Sequence, residues 1–99
     1  MFEQMKELFQ LQNKMQKMRK ELEEEVFEVA SADGRVKVVM TGAQQVKGVY
    51  LQEDIQGLDK SKLEMALKEA YAKAIERSHN LAEQKMKGML GFNLPFGLR

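Results

Sequence analysis

Apolar residues recur at every seventh position along the first quarter of the chain. From Glu3 to about Glu25 there is no glycine, proline or β-branched residue. This pattern predicts a helix with one apolar side and a length of about 33 Å, which is long for so small a protein. We name the residues that follow this spacing the apolar seam and expect them to form the contact between the two chains of a dimer: Leu8, Leu11, Met15, Met18 and Leu22.

The middle of the chain changes to the alternation that is typical of strands. Three runs carry it, at residues 26–32, 35–41 and 45–51. Asp33-Gly34 separates the first two runs and predicts a tight hairpin in which both turn positions have positive φ. Gly42-Ala43 predicts the second turn, and Gly48 indicates a bulge or a close backbone approach.

A second long helix is predicted after a loop at residues 53–58. Asp59 and Ser61 are both good N-caps, Ser61 with Glu64 matches a capping box, and the helix continues to about Met89. Its apolar stripe has spacings of three and four: Leu63, Leu67, Ala70, Tyr71, Ala74, Ser78 and Leu81. Residues 1–90 thus predict one α+β domain, a helix, a three-stranded antiparallel meander and a long helix, and residues 91–99 a flexible tail.

Composition points to oligomerisation and a soluble protein. The 99 residues include no cysteine, so a thin core has no disulfide to support it. Sixteen basic and 15 acidic residues give a net charge of +1, which does not by itself indicate a polyanionic partner. The charged N-terminus and the lack of an apolar stretch of about 20 residues predict a cytoplasmic protein with no membrane partner.

The order and spacing of several segments resemble the YbaB/EbfC family of small nucleoid-associated DNA-binding proteins. The matching segments span nearly the whole chain: residues 13–18, 34–46, 59–60, 70–71 and 84–86, and the GFNLP sequence of the tail. Two features depart from the family: a glycine-rich leader is missing before the first helix, and Thr41-Gly42 stands where many members have Asn-Gly.

The resemblance implies a tweezer-like homodimer with paired sheets in the middle and projecting helices. It also implies double-stranded DNA as the partner, a change in DNA conformation on binding, and a role in nucleoid organisation and gene regulation. The expected location is the nucleoid. No cofactor and no small-molecule substrate are expected.

Basic residues cluster on both predicted helices and are the candidate DNA-binding residues. The first set is Lys14, Lys17, Arg19 and Lys20, and the second is Lys73, Arg77, Lys85 and Lys87. A basic stripe along a helix can follow phosphates, which dominate DNA affinity. It can also be an ordinary solvated face, because Lys17 and Lys20 each precede a glutamate by four residues. The resemblance carries over Lys14, Lys17, Arg77 and Lys85.

Other chemistry finds little support in the sequence. The acidic block at residues 21–28 lies along one helix end and predicts a solvated face that keeps DNA away, not a metal site. His79 has no second histidine or cysteine with which to form a catalytic dyad, and no phosphate-binding glycine loop occurs. An enzyme is therefore not expected. The alternative function is a protein-interaction adaptor or small chaperone that docks its partner on the methionine-rich first helix.

Overall fold

The computed structural model describes residues 2–52 and 59–90. The elements are α1 (Phe2–Glu24), β1 (Val26–Ala30), β2 (Val36–Thr41), β3 (Val46–Leu51) and α2 (Lys60–Leu90). This order confirms the predicted α+β architecture of a helix, three antiparallel strands and a long helix. The predicted loop at 53–58 and the predicted tail at 91–99 lie outside the described residues. None of the described helices is long and apolar enough to cross a membrane.

The three strands form a meander with β2 in the centre. β1 pairs antiparallel with β2, placing Phe27 opposite Met40, and β2 pairs antiparallel with β3. Val36, Val38 and Met40 alternate onto the inner face of β2 and are all buried, as the sequence pattern predicts. The register shifts where Val39 faces Gly48 and Met40 faces Val46, so the bulge predicted at Gly48 is confirmed.

The first hairpin differs from its prediction. Gly34 has a φ of 75°, whereas Asp33 keeps an ordinary negative φ, so the expectation of positive φ at both positions is wrong. β1 ends at Ala30, two residues early, because Ser31 leaves the strand to close the turn. The Ser31 carbonyl accepts from the Gly34 N–H at 2.9 Å, and the Ser31 hydroxyl donates to the Asp33 carboxylate at 2.6 Å. The wider loop relieves Asp33 of the left-handed conformation.

Helix α2 covers the inner face of the sheet with a stripe of small residues. The core consists of Phe27, Val36, Val38, Met40, Ala66, Ala70 and Ala74. The predicted stripe was wrong at Leu67 and Tyr71, which are exposed, and it missed Ala66. Alanine permits close approach of the helix to the sheet, whereas the larger side chains lie on the flank. Asp59 alone caps the helix, accepting from the Ser61 N–H at 2.9 Å, so Ser61 lies inside the first turn.

Helix α1 joins the core only through its C-terminal part. Leu22 is 6% exposed, and its side chain lies against Gly42 in the turn between β2 and β3. Residues 3–17 are all exposed, and we name this segment the arm. The molecule is accordingly elongated, with extents of 67 × 25 × 15 Å. We name the sheet with the covering part of α2 and Leu22 the body.

Candidate nucleic-acid interface

The four cations predicted on α1 all project into solvent. Lys14 and Lys17 lie on the arm, and Arg19 and Lys20 follow it on the same helix. Arg19 is paired with Glu23 at 3.5 Å. Among the described residues, Lys14, Lys17 and Lys20 have no carboxylate within 4 Å, although Lys17 and Lys20 each precede a glutamate by four positions. Three cations on this helix are therefore available to an external anion.

Lys73, Arg77 and Lys87 of the second set are engaged within the protomer. The Lys73 ammonium donates to the Ala30 carbonyl at 3.3 Å and lies 3.4 Å from the Glu69 carboxylate. The Arg77 guanidinium stacks 5.2 Å above the centre of the Phe27 ring. Lys87 pairs with Glu83 at 3.5 Å. Lys73 and Arg77 thus fasten α2 to β1, a role that their spacing along one helix does not reveal.

Lys85 joins the two helices. Its ammonium lies 3.6 Å from a Glu21 oxygen and 3.3 Å from Glu25 Oε2, an atom that is shielded from solvent. The lysine side chain itself is only 27% exposed. One cation between two carboxylates compensates charge that is partly removed from water. Glu21 therefore points to Lys85 of α2 instead of to Lys17 of its own helix.

The two basic sets meet at one place in the described structure. Beside Lys85, an open depression of about 360 Å³ separates the end of α2 from α1. It is lined by Lys14, Lys17, Met18, Glu21, Lys85, Gly88 and Met89. The structure thus brings together Lys14, Lys17 and Lys85, three of the four residues that the resemblance carries over. Arg77 lies apart from them, over β1.

The acidic block consists largely of ion-pair partners. Besides the two glutamates held by Lys85, Glu23 pairs with Arg19, and Glu28 pairs across the sheet with Lys37 at 3.8 Å. The prediction of a purely solvated acidic face is therefore incomplete, because these carboxylates neutralise cations of the same chain. No cluster of three or more potential metal ligands occurs within residues 2–52 and 59–90. His79 is exposed on α2.

The apolar seam changes its environment along α1. Leu22 is buried within the protomer, Met18 is half-buried, and Met15, Leu11 and Leu8 are exposed. The arm also exposes Met5 and Phe9, which line a shallow groove with Leu8 and Gln12. The use of the seam as a dimer contact stays a prediction, and within the protomer Leu22 already has its partner.

A second uncovered apolar surface, which the sequence reasoning missed, lies between β3 and α2. Pairing with β2 places Val46, Val49 and Leu51 on the inner face of the sheet, yet all three are exposed. Since Lys73 and Arg77 lie over β1, the opposite flank of α2, with Leu67 and Tyr71, lies toward β3. We name these five residues the open face. The signal in the sequence would have been the large apolar residues of the third strand, which lies at the edge of the sheet.

Comparisons with known proteins identify the family of this chain. Residues 1–92 match the YbaB/EbfC DNA-binding family. A relative from Dictyoglomus turgidum, described as a nucleoid-associated protein, is 37% identical over 103 aligned positions that cover 98% of this chain and 95% of the relative. The chain therefore belongs to the YbaB/EbfC family of nucleoid-associated DNA-binding proteins, which is not an enzyme family.

A solved structure supports the fold alone. The crystal structure of an uncharacterized protein from Helicobacter pylori superimposes with a TM-score of 0.78 at 15% identity. The superposition covers 91% of this chain and 97% of the other.

Proposed function

We propose that this protein grips the backbone of duplex DNA with the lysines of its arm and changes the conformation of the DNA. Two copies act together, so that a dimer presents two arms to one duplex. The expected setting is the bacterial nucleoid, with roles in nucleoid organisation and gene regulation. Sequence preference is modest, because lysines that contact phosphates carry no direct base information.

The observation that carries the proposal is the availability of Lys14, Lys17 and Lys20. Each is exposed on a projecting helix without a carboxylate within 4 Å among the described residues. Cations that lack an internal partner can release the counterions of DNA on binding, which is the main source of affinity for its backbone. Lys73 and Lys85 already hold partners, so they contribute less to the proposed contact than their number suggests.

The open face supports dimerisation. β3 is an edge strand with exposed backbone hydrogen-bonding groups, and Val46, Val49 and Leu51 beside it lack a cover within the described protomer. A monomer rarely leaves so continuous an apolar surface in water. A second copy that pairs with β3 would bond the free backbone groups of this strand, and it would also cover the apolar side chains of the open face. The arms would stay free to reach DNA.

The test is a salt titration of DNA binding. In a double variant, Lys14→Ala with Lys17→Ala, a dimer loses up to four phosphate contacts. The slope of log K against log salt should become shallower by about three to four units. The loss of affinity should be equal for duplexes of different sequence. The matched control is Lys62→Ala with Lys68→Ala, which removes the same charge from exposed sites on α2. Equal losses in both double variants would show that only total charge matters and would overturn the proposed DNA-binding role of the arm.

The exposed apolar residues of the arm favour one second candidate, a protein-interaction adaptor. Met5, Leu8 and Phe9 on one helix side suit an apolar partner helix. Leu8→Gln should abolish adaptor binding but leave affinity for DNA within about twofold, because the polar replacement carries no charge that would repel phosphates. Loss of protein binding with unchanged DNA affinity would favour both functions on one arm.

A further inference from the structure

The C-terminal end of α1 carries several glutamates and no cation in its last turn. Glu21, Glu23 and Glu24 lie in this turn, and Glu25 follows it directly. The carbonyl groups at the end of a helix bear partial negative charge, so cations stabilise this end and carboxylates do not. Positive charge from elsewhere in the molecule is therefore needed at this end of α1.

Lys85 of α2 supplies positive charge at this end. Its ammonium lies 3.6 Å from the Glu21 carboxylate and 3.3 Å from Glu25 Oε2, which is shielded from solvent. The Glu21 side chain, in contrast, is 46% exposed, so its carboxylate can turn toward any cation within its reach. The partner of Glu21 is therefore decided by where the surrounding cations lie.

Lys17 is a second cation within reach of Glu21. It precedes Glu21 by four positions, and both residues line the depression beside Lys85. The same spacing joins Arg19 to Glu23 at 3.5 Å, so the geometry of α1 permits such a pair. Lys17 nevertheless has no carboxylate within 4 Å among the described residues. The carboxylate that would neutralise Lys17 is held by Lys85 instead.

We propose that Lys85 is a positioning residue for DNA binding, which keeps Lys17 free for a phosphate by holding Glu21. This role rests on the proposed contact between the arm and DNA. Lys85 acts on that contact through Glu21, and its own ammonium stays with the two carboxylates of α1 and the residue after it. Without Lys85, Glu21 would turn to Lys17 and compete with the phosphate for it.

Removing the ammonium of Lys85 should weaken DNA binding. Lys85→Met keeps most of the length of the side chain but lets Glu21 pair with Lys17 in both copies of a dimer. A helical pair of this spacing is worth a factor of about two, so affinity for duplex DNA should fall about three- to fivefold. The matched control, Lys87→Met, removes the same charge from a lysine that pairs with Glu83 of its own helix. It should change the affinity by less than about twofold.

A second substitution separates the proposed role from a direct DNA contact. Glu21→Gln in the Lys85→Met chain should restore the parental affinity within about twofold, because a neutral amide does not hold the Lys17 ammonium. Glu24→Gln in the same chain removes the same charge from an exposed glutamate of the same turn and should restore much less. A lysine that contacted DNA itself, or only fastened the two helices, would show no rescue by Glu21→Gln. Absent rescue, or equal rescue by Glu24→Gln, would overturn the proposal.

The parent chain provides a comparison that leaves Lys85 in place. Circular dichroism shows whether each variant is folded at the temperature of the titration. If Lys85→Met does not fold, Glu21→Gln and Glu24→Gln are compared in the parent chain. Equal gains in affinity, each below about twofold, support the proposal, because Lys17 is already free there. A larger gain from Glu21→Gln would overturn it.

The salt titration of the parent chain separates failure of this proposal from failure of the proposed function. A parent chain that binds DNA through Lys14 and Lys17, but whose Lys85→Met variant is not rescued by Glu21→Gln, retains the DNA contact of the arm and refutes the role of Lys85. A parent chain whose DNA affinity does not depend on Lys14 and Lys17 refutes the proposed function and this role together.

Discussion

The body and the arm use the same residue types in opposite ways. Met40 in the body is 0% exposed, whereas Met5 in the arm is 58% exposed. Lys37 and Lys73 in the body are paired with glutamates, whereas Lys14 and Lys17 in the arm have no carboxylate within 4 Å among the described residues. Interactions within the protomer thus account for Met40, Lys37 and Lys73 of the body, whereas Met5, Lys14 and Lys17 of the arm have no such partner among the described residues.

The body and the arm therefore place different requirements on the sequence, packing in the body and contacts with other molecules in the arm. Residues of the body are constrained by packing, since close-packed interiors tolerate little change in volume. Residues of the arm add little to the stability of one protomer, so their apolar seam and basic side are explained by contacts outside the packed core. Changes in the body should therefore alter folding, and changes in the arm should alter binding.

The largest expected difference between the body and the arm is in the free energy of unfolding when one methionine of each is truncated. Met40→Ala removes a fully buried side chain from the centre of the sheet and should lower the free energy of unfolding by about 2–5 kcal/mol. Met5→Ala removes an exposed side chain and should change it by less than about 0.5 kcal/mol. Urea denaturation followed by circular dichroism measures both. Similar losses in the two variants would show that the arm is as tightly packed as the body.

A smaller effect is expected from adding one methyl group at two glycines. A Cβ at Gly42 would lie 2.8 Å from Leu22 Cδ2 and 3.2 Å from the Leu22 carbonyl oxygen. Gly42→Ala should therefore cost about 1–3 kcal/mol by pushing α1 off the body. A Cβ at Gly88 meets no atom of the described residues within 4 Å, and Gly88→Ala should stabilise α2 by about 0.5–1 kcal/mol.

Thermal unfolding of the two glycine variants measures this contrast. A stable Gly42→Ala protein would mean that Leu22 can move, so that the junction between the arm and the body is looser than its packing indicates. A destabilised Gly88→Ala protein would indicate that this end of α2 is closely covered.

The elements of the fold were predictable because they depend on local patterns. The alternation in β2 and the absence of helix breakers in α1 each point to one conformation. The stripe of α2 was less predictable, since Ala66 and Leu67 fit helical spacing almost equally well and only packing against the sheet selects the alanine. Close approach favours the small residue, whereas a hydrophobicity pattern favours the large one.

The candidate site was predictable only in part, for a different reason. A basic cluster such as Lys14 and Lys17 can be read from the sequence, but whether each charge is free depends on residues far away along the chain. Lys85 is bound to Glu21 of the other helix and to Glu25, which directly follows that helix. Local spacing suggests instead that Glu21 pairs with Lys17, and tertiary contact overrides that preference because one lysine can serve two carboxylates.

The smallest expected effect concerns the turn between β1 and β2, which is organised around the Asp33 carboxylate. The Ser31 hydroxyl, the Arg35 N–H and the Arg35 guanidinium, in that order of influence, hold the pKa of Asp33 below its ordinary value of 3.8. Because the folded state favours the charged form, Asp33 stabilises the body at pH values above 3.8. That contribution is lost as the pH falls through the lower pKa of the folded state.

Asp33→Asn should therefore lower the melting temperature slightly at pH 7, and the gap to the parent chain should narrow below about pH 3.8. The effect is small because the carboxylate is exposed and water screens its charge. Melting curves of both proteins between pH 7 and pH 3 measure the gap. A gap that stays constant over this range would assign the turn's stability to hydrogen-bond geometry instead of charge. The charge of Asp33 would then contribute as little to folding as the exposed charges of the arm do.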